Sequence, residues 1–535
     1  MQKDKGNGKK SKQNVDPFDL VLNSGDLFDW SHGKKSPMLD RDPHRALLSE
    51  CARMAKEKRF FHWELEFPEV FYGPRSGTSQ AIERLQGAGF DVVVGNPPYD
   101  VLASEELGYD VSDDLSFYEA LEIYEPAIRG KKNLYKLFIC RALTEADVSG
   151  VLSFIVPMPL LGDDQAAGVR TLLFEKTHFT GIQSFRQKDD PHNRVFPEAK
   201  LATCIFVSRG RPSGQRFQIR THPGRQIEET SPKLQISADE ILKFDPRNLT
   251  IPSCTQRDWD LAIKILANER IRKLGEFCQA SQGEVNETTD GKKGFISSNP
   301  KDGPQILRGS NICMYVLREA SQGEAIYLQK DKYLKGKPDS VKALHHRQSR
   351  VGWQESSPQN NFRRIIAAKI PLQSFCNHLI NYIPEQDSKL SLELLLALFN
   401  SKLLDWYFRL GSTNAHVSHY QVENLPSPAL DQNKGVERWQ NLLNDEQWSE
   451  LEKELCSLCE TPGILPHAVS AAIAEMSRRI QRIEAKRVLK NRSERSRLAA
   501  KSQPIQDTID AVLFRCYGLS EDDAKYVEKR LGEML

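Results

Sequence analysis

Short apolar runs alternate with amphipathic stretches from about residue 17 to 210. Strand-length runs occur at FDLVL (18–22), FDVVVG (90–95), GVLSFIVP (150–157), GIQSF (181–185) and LATCIFVS (201–208). Their β-branched and aromatic content, with little polar alternation, suits strands buried in a sheet. Between them, YKLFICRALTEA (135–146) and QAAGVRTLLFEKT (165–177) set apolar residues at helical spacing, as at Val169, Leu172 and Leu173. Alternation of this kind predicts an α/β domain over 17–210.

Residues 211–270 are mixed and polar and read as a connection with some strand content. From about 271 to 430, short strands, glycines and turns predict a second, α+β domain. It contains one apolar helix, LELLLALFNSKLLDWYF (392–408), and a polar loop, GSTNAHVSHYQVENLPSP (411–428). The remainder, 431–535, is amphipathic and largely helical, and residues 1–16 form a polar, basic tail. At 535 residues the chain is long enough for several domain-sized cores.

Charge changes this picture only locally. The 74 basic and 72 acidic residues nearly cancel, so any nucleic-acid surface must be confined to part of the chain. Residues 471–500 hold nine Lys/Arg and three Asp/Glu, a net of +6, which makes either a phosphate-tracking helix or a solvated one with pairs such as Glu475 and Arg479. The ten cysteines lack the dense spacing of a disulfide scaffold and point to a reducing cytoplasm. Cys456 and Cys459 form a C-x-x-C without a second ligand pair, so they pack a helix. His62 and Glu66, four apart in RFFHWELEFPEVFYG (59–73), lack a third ligand, and no metal is expected. The apolar stretch at 392–408 is broken by Glu393, Lys402 and Asp405, which argues against a membrane span.

The chemistry gathers where FDVVVG runs into Asn96, Pro97, Pro98 and Tyr99. Loops at strand ends of α/β sheets are where ligands bind. Two prolines stiffen the corner and remove N–H groups, which leaves carbonyls free to accept. An exocyclic adenine amine is a poor nucleophile because its lone pair is delocalised into the ring. The Asn96 side-chain oxygen and the Pro97 carbonyl suit both N–H bonds of such an amine, drawing its nitrogen toward a tetrahedral, attacking geometry, and Tyr99 suits stacking on the base. An adenine inside a duplex cannot enter such a pocket, so this chemistry implies base flipping.

FDVVVGNPPY resembles motif IV of the amino-group DNA methyltransferases, in the form of the adenine-N6 branch. GDLFDW (25–30) resembles motif III of the TaqI-like class, which puts an acidic contact to the donor's adenine at Asp26. NLYKLFICRAL (133–143) followed by GVLSFIVP resembles the next helix and strand of that class. VFPEAKLATCIFV (195–207) resembles motif VIII, whose base-stacking aromatic residue falls on Phe196. LGEFCQASQGEVNET (274–288), ILRGSNI (306–312), RIIAAKI (364–370) and residues 395–428 resemble the TaqI-like C-terminal specificity domain, which reads the target sequence. The resemblance implies a partial Rossmann-like methyltransferase domain, an α+β target-recognition domain and a helical C-terminal region. It implies S-adenosylmethionine as methyl donor and double-stranded DNA as partner. Within the second domain, Arg308, Arg363, Arg364 and Lys369 suit phosphates, and Asn414, His416 and His419 suit DNA contact from a polar loop.

The pattern is incomplete. Enzymes of this class carry an Asp-Pro-x-x-Gly-Ser-Gly type loop before motif IV, and none precedes Asn96. QGAGFD (86–91) directly precedes the motif IV strand and reads as a turn. The expectation is a split or truncated enzyme of a restriction-modification or phage-defence system, whose donor loop comes from a partner chain. A second expectation, of another class, is a DNA-binding specificity protein with an inactive methyltransferase fold. DDPHNRVFPEAK (189–200) has acidic residues and a lysine near nuclease spacing, but it overlaps the motif VIII match, so any restriction endonuclease is expected on another chain or in the missing upstream part.

Overall fold

FDVVVG forms a strand, β1 (Phe90–Gly95), that runs parallel to the long β2 (Ala146–Pro157) with Val92 opposite Val151 and Val94 opposite Ser153. The computed structural model describes residues 50–534 apart from 52, 75–81, 187, 320–323, 339, 413 and 432–437. Expectations for FDLVL and for Asp26 lie outside the described residues. The chain divides into two compact units, residues 1–88 and 89–535.

The first unit contains two four-residue helices, Trp63–Glu66 and Pro68–Phe71, and a hairpin that pairs Tyr72–Pro74 with Ile82–Arg84. Glu64 accepts from the Tyr72 hydroxyl at 2.8 Å and pairs with Arg84. Among the described residues, no group of three or more His, Cys, Asp or Glu is placed to hold a metal.

The second unit begins with a six-stranded mixed sheet. Its remaining strands are β3 (His178–Phe185), β4 (Thr203–Arg209), β5 (Phe217–His222) and β6 (Lys233–Ile236), and the order across the sheet is β1-β2-β4-β3-β5-β6. The segment expected to be a connection with some strand content thus supplies two strands of the sheet. In β6 the sequence KLQI alternates exposed and buried, the period of a half-covered edge strand. Helices α1 (Leu134–Glu145) and α2 (Ala167–Lys176) bury Leu137, Ile139, Cys140, Val169 and Leu173 in the same core as Leu152, Phe154 and Val156 of β2.

At the other edge, β1 is the last strand among the described residues. In the described sheet β1 pairs with β2 alone, and Val92 and Val94 are 58% and 75% exposed. Their neighbours on that face, Val151, Ser153 and Ile155 of β2, then Ile205 and Val207 of β4, are only partly buried. A parallel pair ordinarily has both faces covered.

The same unit also holds a four-stranded antiparallel sheet, β7 (Ser281–Gln282), β8 (Arg350–Gln354), β9 (Ala367–Ile370) and β10 (Ile380–Pro384), in the order β7-β10-β8-β9. After α3 (Gln256–Leu266), the apolar stretch expected as one helix is two, α4 (Leu392–Phe399) and α5 (Lys402–Leu410). Asn400 and Ser401 cause the break. The Asn400 amide donates to the carbonyls of Ala367 and Leu396, and the Ser401 hydroxyl accepts from Leu404 N–H to cap α5. Further on come α6 (Trp448–Leu458), α7 (His467–Arg487), α8 (Arg492–Cys516) and α9 (Glu521–Glu533), so the C-terminal region is helical as expected. Among the described residues no helix is long and apolar enough to cross a membrane.

Candidate active site

Residues 96–99 leave β1 at its C-terminal end, where the backbone is fixed from two sides. The Asn133 amide donates to the Tyr99 carbonyl at 3.3 Å, and Leu134 N–H donates to the Asp100 carbonyl at 2.9 Å. The corner is therefore tied to the first turn of α1. Asn96 is exposed, and its side chain makes no hydrogen bond to the described residues. Pro97 is buried, Pro98 is exposed and Tyr99 is half-buried. The Tyr99 hydroxyl donates to the Ile155 carbonyl at 3.2 Å, and burial pushes its pKa up to about 12. It stays a neutral aromatic.

Phe196 lies on the loop between β3 and β4, braced by one side chain. Arg194 donates to the carbonyls of Lys188, Pro197 and Asp189 at 2.8, 3.1 and 2.6 Å. The fold carries the Phe196 ring to Tyr99, with centroids 5.9 Å apart and planes at 77°, an edge-to-face contact. Two residues nearly a hundred positions apart thus form one aromatic corner beside Asn96. In the same loop, Asp189 and Lys200 pair with each other at 2.6 Å.

A cavity of about 320 Å³ opens beside Tyr99, with Asn133, Tyr135, Pro157 and Leu201 among its walls. His416, from the polar loop that follows α5, reaches the same cavity. Its Nδ1 lies 2.7 Å from Glu355 Oε1, and Asn414 Oδ1 accepts from its backbone N–H at 2.9 Å. Sequence reasoning missed Lys136, a buried lysine on this wall whose setting in YKLF resembles an ordinary solvated helix face.

The other expected DNA contacts are dispersed. Arg308 is half-buried and pairs with Glu287 at 2.7 Å, which holds that carboxyl below its usual range. Lys369 pairs with Glu393 at 2.6 Å. Arg363 lies 3.8 Å from the buried Asp405 carboxylate, and His419 is exposed at the start of a short helix, His419–Glu423. Arg364 requires a correction. It is 1% exposed, and its guanidinium donates to the carbonyls of Asn414 and His416 at 2.9 and 3.2 Å, while burial pulls its pKa down to about 10. It shapes the loop from inside, where no phosphate reaches it. In the basic stretch, Arg478 and Arg487 pair with Glu475 and Glu484, and Arg479 donates to the Leu443 carbonyl.

Solved structures similar to this chain include the type IIL restriction-modification enzyme MmeI in complex with DNA, at 12% identity and a TM-score of 0.42. Another is the type IIG restriction endonuclease BpuSI, at 13% identity and a TM-score of 0.27. The matches cover 83% and 80% of this chain, and the chain spans 57% and 54% of those two. Over 117 residues, 22% of the chain, it is 29% identical to the type II restriction enzyme and methyltransferase RM.Eco57I of Escherichia coli, of which that stretch is 11%. Residues 28–190, which include the Asn-Pro-Pro-Tyr corner but neither Phe196 nor the residues after it, match the model of the Eco57I restriction-modification methylase family.

Proposed function

We propose that this chain is the base-capturing and target-reading part of an adenine-N6 DNA methyltransferase from a restriction-modification or phage-defence system. The observation that carries the reading is the corner itself, where an exposed Asn96 amide follows β1 directly and the Tyr99 and Phe196 rings meet beside it.

The steps assigned to these residues concern the adenine. Asn96 Oδ1 and the Pro97 carbonyl accept hydrogen bonds from the two N6–H groups, which draws the nitrogen toward a tetrahedral geometry and makes its lone pair available. The carbonyl contacts of Tyr99 and Asn133 hold the corner rigid, and the two rings grip the extruded base. S-adenosylmethionine, when bound, supplies an electrophilic methyl group. The described residues fit the acceptor half of such a site. No glycine-rich donor loop precedes Asn96 in the sequence, and among the described residues β1 pairs with β2 alone. The donor half is therefore assigned to a further polypeptide segment, and the second domain with its His416 loop to reading a TaqI-like target. The absent donor loop also favours a second reading, a DNA-binding specificity protein without activity.

Transfer of labelled methyl from S-adenosylmethionine to mixed-sequence DNA tests this, with Asn96→Ala as control. Label that appears with the wild type and vanishes in the variant supports the assignment. Label unaffected by Asn96→Ala overturns it. DNA binding without label, restored by a polypeptide bearing the Asp-Pro-x-x-Gly-Ser-Gly strand, supports the divided enzyme, and failure of restoration supports the inactive reading.

A further inference from the structure

Lys136 is an unusual residue to find 1% exposed. Its Nζ donates to the carbonyls of Arg129 and Gln165, each at 3.0 Å, and no carboxylate among the described residues pairs with it. An ammonium has three N–H donors, so one remains. Buried charges are normally paired, because removal from water is costly. The cavity beside Tyr99, which Lys136 lines, is where a partner fits.

The rest of that wall is suited to an anion with an organic body. Lys131 lines it with an exposed side chain, while its backbone N–H is fixed by Gln165 Oε1 at 2.8 Å. His416 stands on the wall with Nδ1 engaged by Glu355, which leaves Nε2 available. The carboxylate on the wall, Asp163, is occupied in part, since its Oδ1 accepts from Gln165 N–H at 2.9 Å. Tyr99 supplies the aromatic side.

We propose that this cavity holds a phosphate of the extruded nucleotide, with the third Lys136 N–H and the Lys131 ammonium donating to its oxygens while the base lies against Tyr99. The inference rests on the base-extrusion reading above and adds to it a phosphodiester subsite. A charged anchor inside the pocket explains how a flipped nucleotide is held when the base contributes only stacking and two hydrogen bonds.

Calorimetric titration of the full chain with 2′-deoxyadenosine 5′-monophosphate, 2′-deoxyadenosine and inorganic phosphate tests it without a known target sequence or donor. The expected result is a nucleotide at least tenfold tighter than the nucleoside, with the difference abolished in Lys136→Met and reduced about threefold in Lys131→Ala. Equal affinity for nucleotide and nucleoside overturns the subsite, as does an unchanged preference in Lys136→Met. If Lys136→Met does not fold, Lys131→Ala decides, because its side chain is exposed. Inorganic phosphate that binds as tightly as the nucleotide and is insensitive to both substitutions also overturns it. The cytidine nucleotide separates the two readings. If it binds as well as the adenine nucleotide and both lose affinity in the lysine variants, the phosphate subsite stands and the adenine assignment falls.

Discussion

At the corner that follows β1, neighbouring residues divide between anchoring and reaching. Pro97 is buried and Tyr99 is tied to the Ile155 carbonyl, so Asn96 is presented outward on a backbone that cannot relax. Asn96→Ala is expected to lower methyl transfer by about 10²–10³, the scale for deleting one preorganised polar contact to a reacting group, with binding of non-specific DNA unchanged. Single-turnover transfer beside a filter-binding measurement checks this. The stiff corner after β1 was legible in the sequence, because an apolar run that ends in glycine and two prolines predicts a rigid loop at a strand end. Lys136 and Arg364 were not. Whether a lysine or arginine of a mixed stretch turns inward depends on carbonyls brought by distant segments, here Gln165 for one and Asn414 for the other.

A second residue-scale effect involves pH. Asp510 of α8 is buried, and burial raises its pKa to about 6 against an ordinary 3.8, with the Lys402 charge pulling the other way. Its carboxylate accepts from Lys402 N–H at 2.8 Å, joining α8 to the start of α5. A raised folded-state pKa means the native protein holds this proton between about pH 4 and 6 while the unfolded chain releases it. The group's contribution to stability is therefore full below its unfolded pKa and is lost as pH rises through 6. Asp510→Asn should remove that slope, changing the stability difference from wild type by about 2–3 kcal/mol between pH 4 and 7. Urea denaturation across this range reads it, and parallel curves for the two proteins refute it.

Among elements, the fold depends on contacts that pattern alone does not reveal. The strands β1 to β4 were visible as apolar runs, and α1 and α2 as helical periodicity. The order of strands was hidden, because β4 inserts between β2 and β3 by antiparallel pairing that no local signal encodes. Close approach was hidden as well. Gly168 in α2 has room for no side chain, since a Cβ there would lie 2.5 Å from the Pro126 carbonyl oxygen. Gly168→Ala is expected to cost about 1–3 kcal/mol, measurable by chemical denaturation, even though alanine is the better helix former. At the start of β8, Arg350 forms a fully buried pair with Glu284 at 2.9 Å and also donates to the Ser374 carbonyl. Arg350→Met alone should destabilise by about 3–5 kcal/mol because it strands the carboxylate. Adding Glu284→Leu should recover part of that loss, and a double-mutant cycle without recovery contradicts this account.

At the scale of the chain, the sequence carries no donor loop before Asn96, and the described part of the sheet ends at β1. Among the described residues this strand, which leads into the Asn-Pro-Pro-Tyr corner, is an edge strand with two exposed valines, although parallel strands ordinarily lie inside a covered sheet. Exposed apolar edges pair with other chains. The purified protein should therefore self-associate as its concentration rises, and Val94→Lys should suppress this while leaving the melting temperature nearly unchanged, because surface substitutions usually fall within about 0.5 kcal/mol. Sedimentation velocity over a concentration series measures the first effect and thermal melting the second. If the edge is where the donor-binding segment adds, the same lysine must also prevent that segment from restoring methyl transfer. An Asp91→Asn variant on the same strand, with an exposed polar side chain on the other face, should be restored as well as wild type. Equal restoration of Val94→Lys would place the donor half elsewhere on the molecule. Loss confined to Val94→Lys would mean that the open side of β1 joins the two halves of the site.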